Sequence, residues 1–230
     1  MAETIPVKII ARIRTDFATK FGVPRQSGLV ESLRGEIVFE PDFRNPDALR
    51  GIEDFSHLWL IWQFSEAVRD KWQPTVRPPR LGGNQSMGVF ATRSPYRPNP
   101  IGLSSVKLEG VEQRAGKGTV LIVSGADLMD GTPILDIKPY LPYADCKTEA
   151  RGGFAPDPGA RLRVEYAPGL AGRFPPEKLA ALTGVLANDP RPRYQQDPDR
   201  IYRLSFAGWT VAFTVEDTVL RVVGAERVSK

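Results

Sequence analysis

The segment from residue 88 to residue 108, GVFATRSPYRPNPIGLSSVKL, places two arginines and an asparagine on a backbone that contains three prolines. Each proline fixes its own φ and restricts the residue before it, so polar side chains here should adopt few orientations. Arg93 and Arg97 carry planar guanidinium groups that pair with carboxylates or phosphates, and the Asn99 amide both donates and accepts hydrogen bonds. The pattern predicts a stiff site for an anionic ligand, with an ordinary proline-rich loop as the alternative.

Positive charge is concentrated in this part of the chain. Between Lys71 and Leu108 there are six basic residues and no aspartate or glutamate, whereas the whole chain of 230 residues has a net charge of +4. A carboxylate within such a stretch would repel an anion, so its absence supports the predicted site. The alternative is a solvated basic face without a ligand.

A second polar segment, GADLMDGTPILDIKPYLPYAD, runs from residue 125 to residue 145 and contains a group of ionisable side chains: Asp127, Asp130, Asp136, Lys138 and Tyr140. Its DGTP tetrapeptide predicts a turn whose amides and Thr132 hydroxyl could bind ligand oxygens. Three carboxylates this close could hold a magnesium ion or share a proton as an acid–base pair. Asp130 could equally serve only to stabilise the turn.

Other candidate groups are few. His57, the only histidine, lies in an apolar run, where histidine is usually a packed side chain, and Pro24-Arg25-Gln26 forms another proline-stiffened basic turn. One cysteine and one histidine cannot form a disulfide or a typical zinc site. The chain has no dinucleotide-binding glycine motif, Walker loop or nucleophile elbow. The residues alone thus indicate an anion site in a β-rich protein without naming its ligand.

The elements that must position these residues are mostly strands. Short β-rich runs separated by glycine and proline predict a mainly β fold, with an antiparallel β-barrel as the main domain over residues 1–166. Asn45 should cap a short helix that Pro46 opens. After a hinge rich in proline and glycine, residues 167–230 predict a small α+β C-terminal domain, one helix followed by a three-stranded meander.

Two expectations follow from size and hydropathy. The C-terminal domain is too small to bury much surface alone, so it should dock on the main domain or on a second chain. The longest apolar run of the chain is too short to span a bilayer, which favours a cytoplasmic protein.

Five segments, taken together, carry a family resemblance: FGVPRQSGL, IEDFSHLW, PTVRPPRLGG, MGVFATRSPYRPNPIGLS and DLMDGTPILDIKPYLPYAD. They resemble the TrmO family, also called the YaeB or TsaA-like family, over about residues 5–165, and the C-terminal part resembles the extra domain of its bacterial members. The resemblance implies a homodimeric β-barrel methyltransferase. Its members use S-adenosylmethionine to methylate the N6 nitrogen of threonylcarbamoyl-adenosine next to the tRNA anticodon.

The resemblance also implies roles for individual residues. The cofactor-binding positions would be Pro24, Arg25, Gln26, His57, Leu58, Arg93, Leu103, Asp130, Gly131, Thr132 and Pro133. We assign Arg97, Asn99 and Lys138 to binding of the modified nucleoside. Asp136, Tyr140 or His57 could accept the proton that leaves the nitrogen, and the sequence does not choose among them.

Two other classes of function remain open at this point. One is a non-catalytic RNA-binding β-barrel, and the other is a metal-dependent hydrolase that uses Asp127, Asp130 and Asp136. The stretch RPRYQQDPDRIYR also contains a cluster that could contact tRNA: Arg191, Arg193, Tyr194, Arg200, Tyr202 and Arg203. Because every cofactor position precedes the hinge, a chain ending near Pro168 should keep cofactor binding and methylate tRNA poorly.

Overall fold

The computed structural model describes residues 3–192, 195 and 197–228, and strands dominate this part of the chain. The strands are β1 (Ala11–Arg14), β2 (Arg34–Phe39), β3 (His57–Gln63), β4 (Thr75–Val76), β5 (Met87–Gly88), β6 (Ile101–Arg114), β7 (Gly118–Ser124), β8 (Pro133–Pro139), β9 (Arg163–Tyr166), β10 (Tyr202–Phe206), β11 (Trp209–Glu216) and β12 (Val219–Arg227). The α-helices are α1 (Pro142–Asp145) and α2 (Pro176–Ala187). The mainly β fold is therefore confirmed. No helix in the described ranges is long and apolar enough to cross a membrane.

The short helix that was predicted near Asn45 is present as a 3-10 helix over Pro46–Leu49. The Asn45 side-chain oxygen accepts a hydrogen bond from the Asp47 amide at 3.0 Å. This bond satisfies an amide that has no partner within the helix, which is why asparagine favours this position.

Six strands form a closed antiparallel sheet, the barrel, in the order β1-β2-β7-β6-β3-β8. The closure runs through β1, whose Ala11 lies opposite Phe39 in β2 and opposite Ile134 in β8. Along β3 every second side chain from Leu58 to Trp62 is buried. This alternation is expected of a sheet with one face on a core, and it leaves the other face of each strand outside.

The outer face of β3, β6 and β8 collects several predicted site residues. In the strand register, His57 lies opposite Lys107 and Ile61 lies opposite Leu103, while Ile61 also faces Asp136 of β8. Directly opposed residues of antiparallel strands project to the same side, so these side chains share the outer face. Segments that are far apart in the sequence thus contribute to one surface.

The C-terminal residues form a second sheet with the strand order β10-β11-β12-β9. The predicted helix is α2, and the predicted meander is β10 to β12. The strand β9 differs from the expectation, because our boundary at residue 166 left it in the main domain. It instead pairs in parallel with β12, where Val164 lies opposite Leu220. The free edge of β12 offers unpaired backbone groups that β9 satisfies, so the second sheet takes in residues before position 167.

The two sheets are joined by residues 15–33, the linking segment between β1 and β2. Three of its side chains are buried in one hydrophobic cluster with α2 and the C-terminal strands: Phe17, Val30 and Leu33. The Phe17 and Phe206 rings meet edge-on with their centroids 5.4 Å apart, and Lys178 of α2 donates a hydrogen bond to Asp16 at 2.6 Å. This segment also carries the Pro24-Arg25-Gln26 turn. The C-terminal domain therefore docks on the main domain, one of the two alternatives expected from its size. This packing changes the expectation for a chain that ends near Pro168, because the turn is not independent of the domain that truncation removes.

We accordingly expect a chain that ends at Pro168 to lose S-adenosylmethionine binding. Truncation removes α2 and β10 to β12 and exposes the apolar side chains of the linking segment, each of which contributes about 1.5–3 kcal/mol when fully buried. Size-exclusion chromatography and calorimetry compare the truncated and complete chains. The complete chain with Lys178→Ala loses one ion pair but keeps the core, so it should still bind. A soluble truncated chain with full-length affinity would contradict the expectation.

Candidate cofactor and active site

The two basic segments singled out by the sequence meet at Arg93. Its guanidinium donates a hydrogen bond to the side-chain oxygen of Gln26, and its positive charge acts on the Asp127 carboxylate. At the same turn, Arg25 donates a hydrogen bond to the main-chain oxygen of Arg191 at 3.0 Å. The turn that carries Gln26 is thus bonded to the 88–108 segment on one side and to the C-terminal domain on the other.

Asp127 is a mostly buried carboxylate at this junction. Its Oδ1 accepts a hydrogen bond from Ser104 Oγ at 2.5 Å, and Ser104 Oγ accepts one from Trp62 Nε1 at 2.9 Å. The main chain of Ser27 also lowers the pKa of this carboxylate. Burial raises the pKa of Asp127 to about 6, because the Ser104 hydrogen bond and the Arg93 charge only partly offset the loss of hydration. The side chain is therefore charged at neutral pH and neutral in mild acid.

A pocket of about 760 Å³ opens next to this junction, between the linking segment and the strands β3, β6 and β7. Its lining residues are Ser27, Gly28, Glu31, Ser32, His57, Ser105, Lys107, Glu109, Ser124 and Gly125. The volume lies within the ~300–1,000 Å³ that is typical of small-molecule sites. Residues 27–32 of the linking segment, His57 of β3, three residues of β6 and the end of β7 therefore border one space.

The groups around the pocket fit S-adenosylmethionine. Gly28 has a φ of 78°, and a Cβ placed on it would meet no atom within 4 Å, so this wall is open to a ligand. Ser27 Oγ accepts the Ser105 amide at 3.1 Å and keeps its own hydrogen for a ligand oxygen. The lining contains four serine hydroxyls and the cation Lys107, which can bond to ribose hydroxyls, a purine and a carboxylate.

Other predicted cofactor positions divide between surface and core. His57 lines the pocket, and its Nδ1 lies 2.9 Å from Ser56 Oγ. Leu103 is exposed on the outer face of β6. The Leu58 side chain is fully buried in the barrel core, so only its main chain is left for a contact with a ligand.

The Asp130–Pro133 turn forms hydrogen bonds with β1 and with Thr15, the residue that follows β1. Asp130 accepts hydrogen bonds from the Thr15 amide at 3.1 Å and from Arg14 at 3.3 Å. The Gly131 amide donates to the main-chain oxygen of Ile13 at 2.8 Å. These contacts support the structural role of Asp130 that the sequence left open, and the cofactor role of the turn stays a prediction.

The candidates for proton transfer lie on the outer face next to the pocket. Asp136 forms an exposed ion pair with Lys138 at 2.9 Å. The Tyr140 ring packs beside the rings of Trp59 and His57, with centroids 5.6 and 6.2 Å away. Of the three candidates, His57 lines the pocket itself and Tyr140 packs against His57.

The predicted substrate residues Arg97 and Asn99 lie in the loop that precedes β6. Arg97 donates a hydrogen bond to the main-chain oxygen of Thr92 at 3.1 Å, and the Asn99 main-chain oxygen accepts the Ile101 amide at 2.7 Å. These bonds give the loop a defined conformation in addition to its prolines. The stiffness predicted from the sequence therefore has a structural basis.

The three aspartates that were considered as a metal site have separate partners. Asp127 bonds to Ser104, Asp130 to Arg14 and Asp136 to Lys138. Within residues 3–192, 195 and 197–228, no group of three or more His, Cys, Asp or Glu side chains is arranged to hold a metal ion.

Several side chains of the basic C-terminal cluster are engaged in contacts within the protein, which the sequence did not predict. The Arg191 guanidinium bonds to the Asp189 carboxylate at 2.9 and 3.0 Å, and its side chain is only 11% exposed. Tyr202 is 5% exposed and packs on Phe213, so its ring offers no face to a base. Arg200 lies over the Tyr202 ring. Two further members of the predicted cluster, Arg193 and Tyr194, lie outside the described residues.

Three residues of the junction were not found by sequence analysis: Ser27, Ser104 and Trp62. Ser104 lies 23 positions from Asp127 and 42 from Trp62, and no motif connects them. Only the strand register of β3 and β6 would have brought these side chains together.

Comparison with known proteins gives the class and then the family. A family model of the tRNA-methyltransferase O N-terminal domain matches residues 12–146, which include the six barrel strands except Ala11 of β1. A model of the TrmO C-terminal domain matches residues 161–228, which include β9 as well as β10 to β12. The chain belongs to the TrmO family.

Relatives match over nearly the whole chain. A protein of Escherichia coli (strain K12) named tRNA (adenine(37)-N6)-methyltransferase is 42% identical over 228 residues, which is 94% of this chain and 96% of that protein. A Pseudomonas aeruginosa protein named putative S-adenosylmethionine-dependent methyltransferase RcsF is 47% identical over 209 residues, 86% of this chain and 87% of its own. The crystal structure of TrmO from Pseudomonas aeruginosa has a TM-score of 0.78 at 36% identity and covers 97% of this chain and 99% of that chain.

Proposed function

We propose that this chain is an S-adenosylmethionine-dependent methyltransferase that acts on N6 of adenosine 37 in tRNA. The observation that carries the proposal is the full-length match to the Escherichia coli tRNA (adenine(37)-N6)-methyltransferase across both domains. The basic segment and the pocket described above support it from the chain's own residues. The RNA-binding barrel and the hydrolase are not favoured by these matches. The substrate form is threonylcarbamoyl-adenosine, as the family resemblance implies, and a cytoplasmic location suits a tRNA substrate.

When bound, S-adenosylmethionine supplies a methyl group that is already activated by its sulfonium. The protein's own task is therefore alignment, which can be worth ~7–11 kcal/mol of the barrier. Arg93, held by Gln26, presents a fork for a cofactor carboxylate, while Arg97 and Asn99 on the stiff loop orient the modified nucleoside. The N6 proton must leave as the new bond to carbon forms. Asp136, Tyr140 and His57 on the outer face are the candidate acceptors.

The surface beside these residues suits an RNA loop. The rings of Trp72 and Phe90 lie 6.0 Å apart, with 48% and 73% of the two residues exposed. Such a pair can stack unpaired bases, and Lys71, Arg77 and Arg80 of the basic stretch can contact the phosphates.

The direct test is methyl transfer by the complete chain in the presence of a metal chelator. We expect labelled methyl groups from S-adenosylmethionine to enter tRNA that carries threonylcarbamoyl-adenosine at position 37 and not tRNA that lacks this modification. Tight tRNA binding without transfer would instead indicate a binding protein. Loss of activity on chelation would point to metal-dependent chemistry.

The two loop arginines should behave differently when replaced. Arg93→Ala should weaken S-adenosylmethionine binding about ten- to a hundredfold, since a charge-assisted hydrogen bond contributes about 1.5–3 kcal/mol. Arg97→Ala, a matched loss of charge on the same loop, should leave cofactor affinity unchanged and lower turnover. Calorimetry and single-turnover assays on folded variants separate the two effects. An unchanged dissociation constant for Arg93→Ala would remove this residue from the cofactor site.

We also propose that the protein is a homodimer. The outer face of β6 exposes two large apolar side chains, Ile101 at 44% and Leu103 at 53%, which a second copy can cover. Light scattering should give about twice the chain mass of 25.4 kDa. Ile101→Asp should shift the protein toward monomer. Val223→Asp, at an exposed apolar position of the C-terminal sheet, should not do so, and a monomeric native protein would refute the proposal.

A further inference from the structure

Asp127 contacts three parts of the chain that the proposed cofactor site needs. It accepts a hydrogen bond from Ser104 of β6, and the main chain of Ser27, which directly follows Gln26, lowers its pKa. Its charge also interacts with Arg93, which itself donates a hydrogen bond to Gln26. Two of the predicted cofactor residues are therefore connected through this one carboxylate.

On the barrel side of this network, the hydrogen bonds of Ser104 can be arranged in only one way. Ser104 is fully buried, and its oxygen already accepts the Trp62 Nε1 hydrogen. A serine hydroxyl has a single hydrogen, which here goes to Asp127. An ionised carboxylate only accepts hydrogen bonds, so Asp127 matches Ser104, Ser27 and Arg93 at the same time. An uncharged side chain would leave Arg93 without its anionic partner.

We propose that Asp127 is a positioning residue for the cofactor site: it fixes the Gln26–Ser27 turn and Arg93 relative to β6. The proposal rests on the proposed function and assigns a role to a residue outside the predicted cofactor set. It predicts that the arrangement is strongest when Asp127 is ionised. Because burial raises the pKa of Asp127 to about 6, that condition is met at neutral pH and lost in mild acid. Among the charged groups near it, Arg93 is opposite in sign, while His57, Glu31, Lys107 and Glu109 line the adjoining pocket.

The test is calorimetry of S-adenosylmethionine with the complete chain between pH 5 and pH 8. At pH 8, Asp127→Asn should bind about tenfold more weakly than the native chain, since it keeps the shape but loses the charge. Native affinity should fall as the pH drops through about 6, and the variant should lack this step. His57 and the other pocket residues are present in both proteins, so the difference between the two curves reports on Asp127.

Kinetics and a control variant separate positioning from general loss of stability. For Asp127→Asn, KM for S-adenosylmethionine should rise while kcat changes little, and tRNA affinity measured without cofactor should be unchanged. Asp42→Asn, an exposed carboxylate outside the site, should match the native protein in every assay. A rise in KM that also appears in the Asp42 variant would overturn the proposal.

A second variant keeps the proposal testable if Asp127→Asn folds poorly. Ser104→Ala leaves the carboxylate in place and removes its bond to β6, so it should weaken cofactor binding by a smaller factor. If the native chain binds S-adenosylmethionine and both variants bind it with the same affinity as the native chain, the positioning role is refuted and the proposed function stands. If the native chain does not bind it, the proposed function itself fails.

Discussion

Closure of the barrel depends on a narrow seam between β1 and β8. β1 pairs with β2 along all four of its residues but with β8 at only two, Ala11 and Arg12. The Asp130–Pro133 turn extends the seam through hydrogen bonds to Ile13 and Thr15. An open seam would leave backbone groups unpaired and the register free to slip. The turn therefore helps to fix the strand alignment that places β3, β6 and β8 on one outer face.

The linking segment connects this seam to the pocket beside Asp127. It leaves β1, buries Phe17 in the C-terminal core, and then presents the Gln26–Ser27 turn to Arg93 and Asp127. A close-packed core transmits changes in shape to its neighbours because it has little free volume. The C-terminal domain is thus part of the support of the pocket, which gives it a role even where its arginines are engaged in internal ion pairs.

Charge in the site is organised by burial. The Asp127 carboxylate is mostly buried next to Arg93, where electrostatic attraction is stronger than in water, so this pair can orient groups. The Asp136–Lys138 pair is exposed, and such pairs contribute only about 0–1 kcal/mol. Its side chains can therefore change partners when a substrate arrives at little cost. In the proposed site, Asp127 holds the cofactor side in place, and Asp136 remains adaptable on the substrate side.

The sequence by itself determined the class of fold, the stiff basic segment and the family, because alternation of apolar residues, proline positions and motif letters are local properties. Asn45, Arg93 and the 88–108 segment were identified on that basis. The tertiary structure decided which distant groups meet. Ser104 and Trp62 join Asp127 only through the register of β3 and β6, and Arg191 turns inward to Asp189. The membership of β9 in the second sheet and the burial of Phe17 against Phe206 likewise depend on long-range packing. Composition and spacing contain no signal for such contacts, since the free energy that selects them arises only when the whole core is assembled.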